Sequence, residues 1–149
     1  MINQSKLVVF CLVAIAGFGQ GQRSYGSTLT VKIQGIRSTQ GQIITHLYQS
    51  PDGFPGKHDK AFKKQSVKAV SGEIEISFAE LQAGTYALSA YHDEDGDGSL
   101  KTNLIGFPKE GVGLSRPPAE RKWGPPRFDD AKFDIGQSGS TETIKIEYP

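Results

Sequence analysis

The sequence contains a run of alternating acidic residues with the composition of a calcium-binding loop. Asp93, Asp95 and Asp97 stand at every second position, and Gly98 follows directly. This is the order found in the first half of a calcium loop, where glycine at the sixth position permits a sharp turn. Ca²⁺ prefers about six to eight oxygen ligands, which alternating carboxylates on a tight turn can bring to one point. The segment therefore predicts a calcium-binding loop.

The other ligands of such a site are less well specified. Ser99 would offer its backbone carbonyl at the seventh position, whereas Leu104 at the twelfth position cannot supply the bidentate carboxylate of an EF-hand. A closing ligand must come from elsewhere in the chain, and the candidates are Asn103, Glu110, Asp129 and Asp130. We assign the predicted calcium site to Asp93, Asp95, Asp97, Ser99, Asn103 and Glu110. The alternative is a solvated Asp/Gly turn without an ion, since both residue types are common in turns.

A second interpretation of the same region is general acid–base catalysis by His92, Asp93 and Glu110. However, His92 has the same strand parity as Leu88 and Ala90, which favours a position at the core end of a strand. The sequence also has no nucleophile-elbow pattern and no glycine-rich phosphate loop after a strand. We therefore expect a non-catalytic protein and keep a small carboxylate- or metal-dependent hydrolase as the alternative.

The elements that must position these residues are short β-strands. Apolar and polar residues alternate with a period of two in several segments, which predicts about seven strands. They lie near residues 29–34, 43–48, 66–70, 73–78, 86–91, 131–135 and 143–148. Turn-forming pairs such as Gln40-Gly41 and Ser71-Gly72 separate them. This pattern favours an all-β fold, a two-sheet antiparallel sandwich of immunoglobulin-like or prealbumin-like type.

Three local features interrupt or complete this pattern. Residues 81–86 (LQAGTY) resemble a tyrosine corner, in which the Tyr86 hydroxyl would bond back to the backbone a few residues upstream. Residues 59–64 could form one or two helical turns with Asp59 as the N-cap. Residues 93–127 are rich in Gly, Pro and charge and predict one long loop. Loops of this length in compact domains tend to be functional or to be held in place by contacts with the rest of the protein.

The N-terminal segment predicts export from the cytoplasm. Lys6 precedes an apolar run over residues 7–18, and small and polar residues follow it. This order is typical of a secretory signal peptide, which we place at residues 1–23, leaving residues 24–149 as the β-sandwich domain. Twelve residues span about 18 Å as a helix, short of the ~30 Å of a bilayer core. Because Cys11 is the sole cysteine, the mature protein would have no thiol chemistry. We expect a periplasmic or extracellular protein without stable membrane insertion after cleavage.

The overall charge gives no sign of a nucleic-acid partner. The chain has 17 Lys and Arg against 16 Asp and Glu, a formal net charge of +1. One local basic run comprises Lys57, His58, Lys60, Lys63 and Lys64. We interpret it as a solvated face, with contact to an anionic polymer or a lipid headgroup as the alternative.

A series of motifs makes the chain similar to a family of exported bacterial proteins. The series comprises the segments LQAGTYA (81–87), YHDEDGDG (91–98), KTN (101–103), GFPKEG (106–111) and GPPRFDDAKF (124–133). It resembles domain-of-unknown-function family 2141 over residues 29–148. That family often has Asp where this chain has Lys101, and often Phe-Ser-Asn-Asn where this chain reads residues 114–117 (LSRP). The resemblance implies no activity, because none is established for the family.

Together these features lead to one main hypothesis and two alternatives. The main hypothesis is an exported, non-catalytic β-sandwich module with a calcium-ordered acidic loop that binds an unidentified extracytoplasmic ligand or protein. The alternatives are the small hydrolase and a structural component of the cell envelope.

Overall fold

The computed structural model describes residues 26–116 and 125–149. The predicted signal peptide, residues 1–23, lies outside these ranges. The strands are β1 (Ser27–Ile36), β2 (Gln42–Tyr48), β3 (Lys63–Lys68), β4 (Gly72–Leu81), β5 (Gly84–Asp93), β6 (Gly111–Leu114), β7 (Phe133–Ile135) and β8 (Ser140–Lys145). A 3-10 turn covers His58–Lys60, and a four-residue helix, α1, covers Phe128–Ala131. Within the described ranges, no helix has the length and apolar character needed to cross a membrane.

The strands form two sheets, as the alternation pattern predicts. One sheet has the order β4-β1-β8 and the other the order β3-β2-β5-β6. β7 joins the second sheet by pairing with the beginning of β5, on residues 84–86, whereas β6 pairs with residues 89–92 near its end. All pairs are antiparallel except β1 with β8, which run parallel.

The main hydrophobic core lies between the two sheets. One sheet contributes alternating side chains of β1, with Phe78 of β4 and Ile144 of β8, and the other contributes alternating side chains of β2 and β5. Because successive side chains of a strand point to opposite faces, this alternation places one face of each strand in the interior. The two-sheet sandwich is thereby confirmed.

The five-stranded sheet is also covered on its outer face. A second cluster packs there, comprising Tyr48, Ala87, Phe128 and Ala131 with Phe54 and Ala61 against them. As a result every residue of β5 from Tyr86 to Asp93 is buried, on both faces. The loop after β2 and the helix α1 are therefore parts of the packed structure.

The structure differs from the sequence prediction at several elements. β6 forms within residues 93–127, which we predicted as one continuous loop. Helix α1 takes up Ala131, where the alternation predicts the start of a strand. β8 begins at Ser140, earlier than predicted, since its polar residues pair with the edge of β1. Asp59 is not an N-cap, because the 3-10 turn starts at His58 with Lys57 before it.

The tyrosine corner is confirmed. The Tyr86 hydroxyl donates a hydrogen bond to the carbonyl oxygen of Gln82 over 2.8 Å, four residues upstream. It also accepts one from the Gln49 side chain over 3.2 Å. These bonds fix the turn that enters β5, the strand at whose far end the acidic residues lie.

We expect Tyr86→Phe to lower the free energy of unfolding by about 1 kcal/mol, because it removes the bond to the Gln82 carbonyl while keeping the buried ring. Gln49→Ala is the matched control, since it removes only the second bond, from an exposed residue, and should have a smaller effect. Urea unfolding of the three proteins measures both. Equal stability of Tyr86→Phe and the wild type would contradict a stabilising role for the corner.

Candidate metal centre in the acidic loop

The acidic loop is held to the sheet by the buried carboxylate of Asp93, the last residue of β5. Its Oδ2 accepts hydrogen bonds from the Gln42 side chain over 2.7 Å and from the amide of Gly98 over 2.9 Å. Its Oδ1 accepts from the amides of Gly96, over 2.9 Å, and Asp97, over 3.2 Å. One carboxylate thus receives four donors and folds the following five residues around itself.

These donors also determine the charge state of Asp93. Burial favours the protonated acid, but the hydrogen bonds from Gln42 and from the three loop amides outweigh it, so the pKa of Asp93 lies below its ordinary value. The turn itself depends on glycine, because Gly96 and Gly98 have φ angles of 74° and 80°. These angles lie in the left-handed region, which side chains with a Cβ disfavour.

The alternating carboxylates converge as their spacing suggests. One oxygen from each of Asp93, Asp95 and Asp97 lies within 4.8 Å of the other two. Asp95 and Asp97 are exposed, and their Oδ1 atoms accept hydrogen bonds from amides two residues ahead, those of Asp97 and Ser99. The second oxygen of each side chain faces a cation instead.

A cation from the chain itself already faces this group. The Lys101 ammonium pairs with Asp95 Oδ2 and lies 3.7 Å from Asp97 Oδ2. From the sequence, Lys101 is only a departure from the pattern of a similar family, and its role as a counter-charge was not predicted. No spacing rule predicts this pair, because residues 97–101 form no helix.

The other predicted ligands hold the backbone of the same region. The buried Glu110 carboxylate accepts hydrogen bonds from the amides of Glu94, over 3.2 Å, and Lys101, over 3.0 Å, so it fastens the two ends of the loop. Asn103 Oδ1 accepts from the amides of Ile105 and Phe107, both over 3.0 Å. Neither belongs to the group of three converging aspartates.

The remaining candidates make other contacts. Ser99 is exposed, and its amide donates to Asp97. Asp129 and Asp130 lie on helix α1, where the Asp129 carboxylate pairs with Lys132 over 2.8 Å. The six-residue calcium site therefore stays a prediction, with three of its members, Asp93, Asp95 and Asp97, brought together.

His92 faces the main core rather than the loop. Its Nδ1 lies 2.6 Å from the Tyr148 hydroxyl, and its Nε2 lies 2.8 Å from the carbonyl oxygen of Gln40. Glu94, next in the chain to Asp93, pairs with Arg37 over 2.6 Å. Both ring nitrogens of His92 are thus engaged in bonds that tie β5 to the neighbouring segments.

An aromatic stack beneath the loop is a feature that the sequence analysis missed. The ring of His46 lies parallel to that of His58, with centroids 4.1 Å apart, and both stack on Tyr91. His46 is fully buried, and neither of its ring nitrogens has a hydrogen-bond partner in the described part of the chain. Burial, followed by the nearby His58 and Lys64, lowers its pKa to about 3. The imidazole is therefore neutral in the folded protein.

Tyr91 links this stack to the acidic loop. Its hydroxyl donates a hydrogen bond to the carbonyl oxygen of Gly98 over 3.0 Å. Burial, and then the carboxylates of Asp93 and Glu110, raise the pKa of Tyr91 to about 12, so the hydroxyl keeps its proton as a donor. His58 and Tyr91 also line a cavity of about 150 Å³, with Leu100 and Pro108 on another wall.

The buried His46 predicts a loss of stability in mild acid. The unfolded chain binds a proton at this residue near pH 6.5, whereas the folded chain resists protonation down to about pH 3. Above pH 6.5, the contribution of His46 to the free energy of unfolding should be constant. It should fall by up to about 1.4 kcal/mol per pH unit as the pH drops below that value.

We expect His46→Phe to flatten this dependence between pH 5.0 and 6.5, because phenylalanine keeps an aromatic ring in the stack and cannot titrate. Urea unfolding at several pH values measures the slope. His58→Phe removes the neighbouring histidine, whose own pKa burial also lowers, and should flatten the slope less than His46→Phe does. An unchanged slope in His46→Phe would contradict the assignment of a buried neutral imidazole.

Comparison with known proteins adds one finding. A search of the curated proteins and one of the solved structures each found no match to the chain. Residues 31–144 match the family DUF2141, described as an uncharacterized protein conserved in bacteria. This match covers well over half of the chain, from within β1 to within the core strand β8. The chain belongs to the DUF2141 family of bacterial proteins.

Proposed function

We propose that this protein is an exported, non-catalytic β-sandwich module whose acidic loop binds calcium and whose loop face contacts a ligand or partner outside the cytoplasm. The observation that supports it most is the convergence of Asp93, Asp95 and Asp97 within 4.8 Å. Three carboxylates at this separation create a strong local preference for a positive ion, and hard oxygen ligands suit Ca²⁺.

The backbone around the loop supports the same proposal. The four donors to Asp93 and the two donors to Glu110 shape the turn without any ion. To enclose a cation, Asp95 and Asp97 would exchange the Lys101 ammonium for the ion, and Asp93 would exchange at least one of its hydrogen bonds from the loop amides. A site that is largely prearranged loses less conformational entropy on binding.

Lys101 sets the expected affinity of this loop. In the absence of metal, its ammonium balances the charges of Asp95 and Asp97. A calcium ion must displace it, which weakens binding relative to a loop with a neutral residue there. Dissociation constants of about 10⁻⁴–10⁻³ M are typical of extracellular calcium modules, and we place this loop in that range.

The hydrolase alternative has less support. A general acid or base needs a hydrogen-bonding atom that can reach the substrate. Both ring nitrogens of His92 are already bonded, and both oxygens of Glu110 accept hydrogen bonds from backbone amides. We therefore attribute the role of this region to ion binding and recognition.

We expect calcium to raise the melting temperature. At 10 mM Ca²⁺ and a dissociation constant of about 1 mM, the stabilisation is about 1.4 kcal/mol, or roughly 3–6 °C for a domain of this size. Differential scanning calorimetry and isothermal titration measure both effects. Asp95→Asn with Asp97→Asn should abolish them, whereas Asp129→Asn, an exposed acid on α1, should not. Absence of both heat and a melting shift would exclude the calcium proposal.

The displacement of Lys101 makes a separate prediction. Lys101→Met should increase calcium affinity by up to about fivefold, because an exposed ion pair contributes up to about 1 kcal/mol. Lys109→Met, which removes the same charge from a residue whose amide donates to the Lys101 carbonyl oxygen, is the matched control. Identical affinities for the two variants would show that Lys101 does not compete with the ion.

A further inference from the structure

The loop that joins β2 to β3, residues 49–62, covers a buried histidine on the outer face of the five-stranded sheet. His46 of β2 has the strand parity of Tyr48, which packs on that face, and it is fully buried. The His58 ring of the loop stacks on it, with the two planes inclined by 8° and the centroids 4.1 Å apart. Because His58 lies over the ring, movement of this loop is the change that would bring the His46 imidazole into contact with water.

The His46 imidazole is a buried polar ring whose nitrogens are left unsatisfied. Neither nitrogen has a hydrogen-bond partner within residues 26–116 and 125–149. An unsatisfied buried polar group costs free energy that an apolar ring of similar shape would not. His92, in contrast, has both ring nitrogens engaged. The property that sets His46 apart from a buried phenylalanine is therefore its ability to take up a proton once it meets water.

The groups around the two rings oppose protonation while the loop is closed. Lys64 of β3 pairs with His46 across the strands, and Tyr91 of β5 stacks on both histidines. Burial, followed by His58 and Lys64, lowers the pKa of His46 to about 3. Burial and then Lys64 also lower the pKa of His58, against the opposing effect of Asp59 in the loop. A proton on either ring would be a poorly solvated charge beside another positive group, so protonation favours the state in which the rings are solvated.

The middle of the loop contacts the outer face of the sheet and not the main core. Phe54 packs edge-on against Tyr48, with centroids 5.3 Å apart, and against the phenylalanine of helix α1. The Pro55 carbonyl oxygen accepts hydrogen bonds from the hydroxyls of Tyr48, over 3.1 Å, and Ser89, over 3.2 Å. Burial raises the pKa of Tyr48, whose ring lies 6.4 Å from that of His46, so this hydroxyl stays neutral in acid. The loop can therefore leave the sheet without opening the space between the two sheets.

We propose that this loop is an acid-operated switch, in which protonation of His46 and His58 releases residues 49–62 from the sheet while the sandwich stays folded. Release uncovers one face of the Tyr91 ring. It also removes the wall that loop residues such as Gly56 and His58 form around the cavity of about 150 Å³. The protein would then present in acid a face that is covered at neutral pH. The inference needs no calcium and no residue of the acidic loop.

Native-state hydrogen exchange measures the opening of the loop, with a chelator present throughout. The amides of Lys57, Lys60 and Ala61 bond to carbonyl oxygens within the loop, in turns too short to persist once it leaves the sheet. Their protection factors should fall at least about 20-fold between pH 7 and pH 5, because His46 takes up a proton near pH 6.5 in the open state and not in the closed state. Protection factors that do not depend on pH, or that are absent already at pH 7, would overturn the proposal.

Urea distinguishes release of the loop from unfolding of the whole domain. The urea dependence of exchange scales with the surface that each opening exposes. The three loop amides should therefore show a much smaller slope than the amides of β1, the central strand of the other sheet. Equal slopes would show that the loop opens only with the whole domain, which is the opposite of a switch.

Variants assign the pH dependence to the stacked histidines. Replacing His46 and His58 together by phenylalanine should abolish the fall in protection, since neither ring can then titrate. Lys60→Gln, at an exposed lysine of the same loop that lies 3.5 Å from Asp52, is the matched control and should leave the fall unchanged. A fall of full size in a double phenylalanine variant that melts at pH 7 as the wild type does would contradict the assignment.

A single variant keeps the test decisive if the buried position does not accept phenylalanine. His58→Ala removes the ring that covers His46 and leaves the sheet unchanged, so the pKa of His46 should rise toward 6.5 in the folded protein. The imidazole proton resonances of His46 measure this titration by NMR. A His46 pKa that stays near 3 in His58→Ala would show that the loop does not control the access of water to the ring, and the proposal would fail.

Discussion

The burial of one ionised carboxylate, that of Asp93, organises the functional end of this protein. An isolated charge buried at the end of β5 would be strongly unfavourable, and four hydrogen bonds compensate for it. Three of those donors are amides of the acidic loop, so satisfying the charge and folding the loop are the same event. The fourth donor, Gln42, belongs to the neighbouring strand β2 and holds the loop to that strand.

From this anchor the neighbouring features follow in order. The loop folded on Asp93 brings Asp95 and Asp97 together and places Lys101 against them. Glu110 binds both ends of the loop and so defines where the next hairpin starts. The proposed ion binding would thus arise in a loop supported by a single rigid sheet, the arrangement in which loops acquire function.

The sandwich and much of its core could be predicted from sequence, because period-two alternation directly reports a half-buried strand. The prediction was wrong where burial does not alternate. β6 has glycines at positions 111 and 113, where a Cβ would meet Tyr148 and Ile144, so close packing rather than hydrophobicity defines it. β8 begins with polar residues at a sheet edge, and its register depends on β1, which is distant in sequence.

The candidate site was predictable in part for a similar reason. The convergence of three aspartates follows from local spacing and the glycine turns, so the sequence alone indicated it. Gln42, His46 and His58 could not be placed, because each meets the site through strand pairing or a loop that folds across the sheet. Glu110 was selected as a ligand, yet it bonds the loop backbone, a role that residue type does not distinguish from ion binding.

The most direct measurement of the central claim is terbium luminescence sensitised by Tyr91, whose hydroxyl bonds the carbonyl oxygen of Gly98 within the loop. A Tb³⁺ ion held by Asp93, Asp95 and Asp97 would lie close enough for energy transfer. The account predicts a saturable signal that millimolar Ca²⁺ displaces and that Tyr91→Phe largely removes. A signal that is absent, or that survives the double replacement of Asp95 and Asp97 by asparagine, would contradict it.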